Sequence, residues 1–202
     1  MKIACDIDGT LSNPDHRLHF IQPKGEDCTV CEGTWQRHDS GHQKGNVDHT
    51  RTGSCIYAKK DWDGFYAACV DDTPIPHTVE LIQELLSAGE GLGVDGCSPP
   101  SHTVEFWTGR NENVRNVTRE WLMEHVLLTN DCYHGDLIWQ GDPFPATLKM
   151  RSKGDRRPDH VLKMEFIDPL DPPDIIFEDR STVVKAYREL GLTVFQVAEG
   201  DF

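Results

Sequence analysis

Two aspartates one residue apart open the chain's chemistry, in the segment Asp6-Ile7-Asp8-Gly9-Thr10. Carboxylates held close together either repel or retain a proton. A hard divalent cation resolves that conflict, and Mg²⁺ takes one or two carboxylates together with waters and phosphate oxygens. A phosphate drawn to such a cation lies beside Asp6. A carboxylate there can attack phosphorus in line, forming an aspartyl-phosphate that splits one hard hydrolysis into two easier steps. Asp8 can protonate the leaving oxygen and then accept a proton from water. Taken alone, the same segment also reads as an acidic turn or a calcium-type loop.

Two further polar triplets complete the set: Thr108-Gly109-Arg110 and Glu178-Asp179-Arg180. Thr108 offers a hydroxyl to a phosphoryl oxygen, and Glu178 and Asp179 add carboxylates for the cation. A lysine is needed to neutralise charge on the transferring group. Lys149, Lys153 and Lys163 are the candidates. Each triplet alone is ambiguous. Thr108-Gly109-Arg110 can simply end a strand, and Glu178-Asp179 can be acids at a helix N-terminus, where the dipole favours them.

The elements around these triplets decide the matter. Residues 2–6 read as a short buried strand, and Gly9 marks a sharp turn. Residues 22–58 are polar and poor in aliphatics, and read as an irregular insert. A helix is predicted from Asp61-Trp62-Asp63, with Trp62, Phe65, Tyr66 and Cys69 on one face. Another follows Pro76, with Val79, Ile82, Leu85 and Leu86 inward. A Gly/Pro/Ser-rich loop covers 89–102, then a strand covers 104–107. A helical face follows over 111–126, built from Val114, Val117, Trp121, Leu122 and His125. A strand near 147–151 comes after a loop insert at about 136–146. A short helix over 159–167, a strand ending at Ile175-Ile176-Phe177, a helix over 181–190 and a strand over 193–197 close the chain. Strands alternating with helices imply a doubly wound, Rossmann-like parallel sheet of the α/β class. Ligands of such sheets sit beyond the carboxyl ends of the strands. The three polar triplets stand at three strand ends, so they converge on one crevice.

The 202 residues imply one domain, 1–202, carrying the insert 22–58. A formal charge of −14 argues against non-specific coating of nucleic acid, which needs a basic field. No apolar run approaches membrane-spanning length. Neither a signal peptide nor a Gly-x-x-x-x-Gly-Lys-Ser/Thr phosphate loop is found. A reducing cytoplasm is expected (the host's, if the chain is phage-encoded), with the seven cysteines as thiols or metal ligands. Cys5, Cys69, Cys97 and Cys132 read as buried or incidental thiols.

In this order the motifs resemble the haloacid dehalogenase (HAD) superfamily of phosphatases. The resemblance implies that Asp6 is nucleophile and metal ligand, and that Asp8 is acid/base with its carbonyl on Mg²⁺. It implies that Thr108 binds phosphate, that Asp179 binds the metal directly, and that Glu178 acts on the metal through water. The segment Gly154-Asp155-Arg156-Arg157-Pro158-Asp159-His160-Val161-Leu162-Lys163 and the ending Phe195-Gln196-Val197-Ala198-Glu199-Gly200-Asp201-Phe202 are similar to the phosphatase domain of phage polynucleotide kinase/phosphatase. That likeness selects Lys163 as the motif lysine. It implies substrate-binding roles for Arg17, Gly109, Arg110 and Asp159, the last orienting the Lys163 ammonium from one helical turn away.

Cys28 and Cys31 form a Cys-x₂-Cys pair, and His38, His42, His49 and Cys55 follow it. Cys28, Cys31 and two of the other four can make a structural Zn²⁺ site that orders a core-poor insert. The alternative is a loop with incidental thiols. The expected function is a Mg²⁺-dependent phosphomonoesterase, removing a 3′-phosphate from polynucleotide ends or phosphate from nucleotides. A phosphatase of another small metabolite, and a non-catalytic metal-binding interaction module on the same fold, are the alternatives.

Overall fold

A computed structural model describes residues 1–21, 60–87, 102–127 and 146–200. Insert residues 22–58, the loop at about 136–146, the Gly/Pro/Ser-rich stretch up to residue 101, and Cys97 and Cys132 lie outside the described residues. So do all six expected zinc ligands, Cys28, Cys31, His38, His42, His49 and Cys55.

The chain divides into two compact units, one made of Met1–Asn13 and Asp72–Phe202, the other of Pro14–Asp71. The first unit is a five-stranded sheet in the order β5-β4-β1-β6-β7. Its strands are β1 (Lys2–Asp6), β4 (Thr103–Asn111), β5 (Thr147–Arg151), β6 (Ile175–Arg180) and β7 (Val194–Gly200). All four pairings are parallel. Such a sheet is buried on both faces and needs helices on each. Successive β1 residues accordingly serve opposite sides. Ile3 and Cys5 pack with Val79, Ile82, Phe106, Trp121 and Leu122, while Ala4 packs with Trp107, Ile176, Val183 and Tyr187. The helices that supply these residues are α2 (Pro76–Ser87) and α3 (Arg115–His125) for the first cluster and α5 (Ser181–Glu189) for the second.

β1 stands at the centre. The chain leaves it toward β4 and β5 on one side, then returns to β6 and β7 on the other. The order reverses at β1, which is where open α/β sheets hold their ligands. Two details refine the sequence reading. The second and third triplets lie within the carboxyl ends of β4 and β6, and both strands shift register there, β4 against β5 between Trp107 and Asn111, and β6 against β7 between Glu178 and Arg180. The final strand also runs to Gly200, three residues past its predicted end.

A two-stranded antiparallel ribbon pairs β2 (Ser12–Asn13) with β3 (Thr73–Pro74). Its two-residue strands are too short to show any period, so the sequence pattern gave no sign of it.

The second unit starts at Pro14, earlier than the insert boundary at residue 22. It holds a 3₁₀ turn over Asp15–Phe20 and helix α1 (Trp62–Ala67). Asp61 caps α1, accepting the Gly64 N–H at 2.9 Å. Phe65 and Cys69 are buried as expected, but Trp62 is 46% exposed. It packs its ring along the outer side of the helix against Tyr66 instead. Among the described residues, no helix is long and apolar enough to cross a membrane.

Candidate active site

The turn after β1 is built so that Asp6 and Asp8 leave the sheet together. The amides of Leu11 and Ser12 both donate to the Ile7 carbonyl at 2.8 Å, and the Gly9 amide donates to Ser12 at 2.8 Å. Gly9 has φ +84°, a left-handed conformation that glycine adopts without steric cost. A side chain there would collide with the Asp179 carboxylate, as would one at Gly200. Backbone therefore closes around Asp179 from two directions.

Asp6, at the end of β1, and Glu178 and Asp179, on β6, bring one carboxylate oxygen each within 4.8 Å of one another. All three are buried. Lys163 joins them from the turn after α4 (Asp159–Leu162). It is 2% exposed, and its ammonium donates to Asp6 Oδ1 at 2.6 Å and to Glu178 Oε2 at 2.7 Å. The second Glu178 oxygen, Oε1, accepts the Arg180 amide at 3.1 Å.

Charge does not balance in this group. Three carboxylates meet one lysine. Burial, and next the Glu178 charge, push the Asp6 carboxyl well above its usual range. Burial and Glu178 likewise raise Asp179 from the ordinary 3.8 to about 7. Burial would discharge Lys163, but Asp6 and Glu178 override it and hold the ammonium charged. One more cation would satisfy the excess. The donors are hard carboxylate oxygens, buried and close together, and they fit Mg²⁺.

Asp8 lies one pleat further out. Its Oδ1 accepts from Arg110 Nε at 2.9 Å, Arg110 Nη2 at 2.6 Å and Ser12 Oγ at 3.2 Å. Arg110, expected among the substrate-binding groups, is fully buried, and Nη2 also donates to Asp72 Oδ2 at 2.6 Å and Ser12 at 2.9 Å. The reason is electrostatic: Asp8 and Asp72 flank it, and two carboxylates hold a guanidinium inside the fold.

Thr108 is buried on β4, and its Oγ1 accepts the Arg110 amide at 3.1 Å. Gly109, beside it, offers its carbonyl to Arg151 Nε at 3.0 Å. Asp159 makes no hydrogen bond to Lys163 and acts on its ammonium through charge, because two guanidiniums take its carboxylate. Arg151 donates to one oxygen and Arg180 to the other. Lys163 turns away toward the buried acids.

The competing lysines divide clearly. Lys149 pairs with Glu105 at 2.7 Å and lies over the Trp107 ring. Lys153 is exposed. Arg17 belongs to the Pro14–Asp71 unit. It is fully buried, donates to the Phe65 carbonyl at 3.3 Å and lies over the Phe65 ring, so it is no ordinary surface arginine. Sequence reasoning passed over Ser12, Asp72, Arg151 and Arg180. Arg180 carried a signal, since it ends the third triplet. The other three lie outside any motif.

No curated protein matches the chain. In solved structures, a chain of the Pnkp1/Rnl/Hen1 RNA repair complex is 20% identical with a TM-score of 0.53, over 100% of this chain and 43% of that one. A second structure of the Pnkp1/Rnl/Hen1 complex gives 21% and 0.53, over 100% and 47%. A haloacid dehalogenase-like hydrolase from Streptococcus pneumoniae is 16% identical with a TM-score of 0.46, over 96% and 83%. At these identities the repair-complex chains share a fold with this one, which spans less than half of their length. The family model of the polynucleotide kinase PNKP phosphatase domain matches residues 66–202, taking in Thr108 and Asp179 on their strands and Lys163 in the turn after α4. Extending over more than half of the sequence, that match makes the chain a member of the PNKP phosphatase-domain family, a phosphatase on a haloacid dehalogenase fold.

Proposed function

We propose that the chain is a Mg²⁺-dependent phosphomonoesterase that works through an aspartyl-phosphate on Asp6. The observation that carries this reading is the buried Asp6–Lys163–Glu178 group with Asp179 beside it. Asp6 and Asp179 would hold the Mg²⁺, with Glu178 acting through water and the Asp8 carbonyl as a further ligand as the resemblance implies, and the ion would supply charge neutralisation for phosphoryl oxygens.

The chain's own groups divide the remaining work. Lys163 holds Asp6 Oδ1, which fixes the carboxylate for attack. A bond forms between Asp6 oxygen and phosphorus while the ester oxygen departs and takes a proton from Asp8. Water then attacks phosphorus, gives its proton to Asp8 and releases inorganic phosphate from Asp6. Thr108 steadies a phosphoryl oxygen. Gly109 sits beside it, and Arg17 and Asp159 stay as candidate substrate-binding groups. Lys163→Met, which keeps the volume and removes the charge, should lower kcat by about 10²- to 10³-fold. Near wild-type turnover by this variant would remove Lys163 from the mechanism.

The proton on Asp179 gives the metal requirement a pH signature. In the metal-free fold its carboxyl is raised to about 7. The folded state thus binds a proton that the unfolded chain loses near pH 4. Its contribution to stability is present below that pH and disappears as pH rises through about 7. Mg²⁺ must displace the same proton, so its affinity climbs as pH rises through about 7. Thermal melts should show a small Mg²⁺-dependent gain in Tm near pH 5.5 and a larger one near pH 8 (both roughly set by that titration). An equal gain at both would contradict it.

We assign the substrate class as a 3′-phosphate on a polynucleotide end, or a nucleotide phosphate. Membership of the PNKP phosphatase-domain family supports it. The formal charge of −14 favours a short end or a mononucleotide over a long bound strand. Assay of 3′-phosphorylated oligonucleotides against free nucleoside monophosphates, with Mg²⁺, tests the assignment. Turnover of neither sinks it.

A further inference from the structure

Asp72 has no place in the motifs, yet its carboxylate is wholly buried against the machinery of Asp8. Its Oδ2 accepts from Arg110 Nη2 at 2.6 Å and from Ser12 Oγ at 3.0 Å. Its carbonyl accepts the Trp121 indole N–H at 2.7 Å. Trp121 is a core residue of α3, so the Asp72 backbone is pinned to the packed interior. On the other side, Arg110 Nη1 reaches Thr118 Oγ1 at 3.4 Å, also on α3. The Arg110 guanidinium is therefore held at both ends, and Ser12 is held by Asp72 as well as by Asp8.

Through these two residues the effect reaches Asp8. Two guanidinium donors, Arg110 Nε and Nη2, converge on the single oxygen Oδ1, and the one Ser12 hydroxyl proton is shared between that oxygen at 3.2 Å and Asp72 Oδ2 at 3.0 Å. An oxygen whose lone pairs are both taken by a guanidinium cannot carry the acid's own proton. In the acid form of Asp8 the proton must sit on Oδ2, and the fixed rotation of the carboxyl decides where that proton points. Without Asp72, Nη2 and Ser12 Oγ keep only Asp8 as a shared acceptor, and the guanidinium that sets the rotation of Asp8 loses its charged anchor, leaving the longer contact to Thr118.

We infer that Asp72 is a positioning residue for proton transfer at Asp8, acting through Arg110 and Ser12. The inference rests on the proposed function, in which Asp8 protonates the leaving oxygen. It makes a distinction that a merely structural role would not. The sugar oxygen of a nucleoside 3′-phosphate leaves only with a proton, whereas p-nitrophenolate leaves without one. Misplacing the Asp8 proton slows departure of the first leaving group and spares that of the second; the water step, which also uses Asp8, is common to both esters and enters kcat but not kcat/KM.

The test compares kcat/KM of the full chain with Mg²⁺ on a nucleoside 3′-monophosphate and on p-nitrophenyl phosphate, for wild type, Asp8→Asn, Asp72→Ala and Ser12→Ala. Asp72→Ala should lower kcat/KM for the nucleotide by about 10²-fold, the scale of general-acid catalysis, and leave that for the p-nitrophenyl ester far less affected. Ser12→Ala removes one neutral donor and should lower the ratio of the two rates in the same direction, by about threefold to tenfold. Adding Asp72→Ala to Asp8→Asn should cause almost no further loss, because both act on one step. Equal loss on both esters, or an unchanged ratio in both single variants, overturns the inference. Should Asp72→Ala fail to fold, Ser12→Ala decides alone. A wild type without Asp6-dependent activity on either ester overturns the proposed function itself, whereas an active wild type with an unmoved ratio overturns only the role of Asp72.

Discussion

Asp6→Asn is expected to lower kcat by about 10⁴-fold or more, the scale on which loss of a nucleophile acts. The fold should survive unchanged. Asparagine has the same shape, and its amide can still accept from Lys163. Stability even has a reason to rise in the metal-free protein. Burial and the neighbouring Glu178 push the Asp6 carboxyl up, so removing its charge relieves a conflict. Thermal melts with and without Mg²⁺ should therefore show an equal or higher Tm without metal, and a smaller gain on adding it. Turnover near that of wild type would exclude Asp6 as nucleophile.

Arg110→Met is expected to act first on stability, lowering it by about 3–5 kcal/mol, the cost of leaving a buried charge without its partner. The Arg110 and Asp72 side chains are both 0% exposed, and Asp72 would lose the guanidinium that holds its Oδ2. Urea denaturation measures the loss. Removing the stranded carboxylate should recover part of it, so the pair Arg110→Met and Asp72→Ala should be non-additive. An arginine whose main task is to bind phosphate gives the opposite pattern: a raised KM and an unchanged urea midpoint. That outcome would contradict the buried network.

What the sequence made legible follows from how local each signal is. Asp6, Asp8 and Gly9 are adjacent, and their turn closes on hydrogen bonds within six residues. The triplets at Thr108 and Glu178 close hydrophobic runs, so alternation of strands and helices was enough to bring them to one sheet edge. Lys163 is different. Nothing in its own surroundings separates it from Lys149, and only the likeness of residues 154–163 to a known domain selected it. Its contacts reach across 157 residues to Asp6.

Partners rather than motifs set the rest. Arg110 is given a substrate-binding role only by the family resemblance. Its burial depends on Asp72, 38 residues away, and on Asp8, 102 residues away. Asp159 has the helical spacing to serve Lys163, but Arg151 and Arg180 compete for it and win as charged, forked donors. No local pattern encodes such competition.

Trapping the covalent intermediate tests the central claim most directly. The full chain with Mg²⁺ is mixed with an oligonucleotide carrying a labelled 3′-phosphate, quenched rapidly in acid and digested, and the peptides are sequenced by mass spectrometry. We expect the label on the peptide containing Asp6, at Asp6 itself, and none in Asp6→Asn. Full turnover with label only in free phosphate from wild type, or on another residue, would contradict the aspartyl-phosphate mechanism.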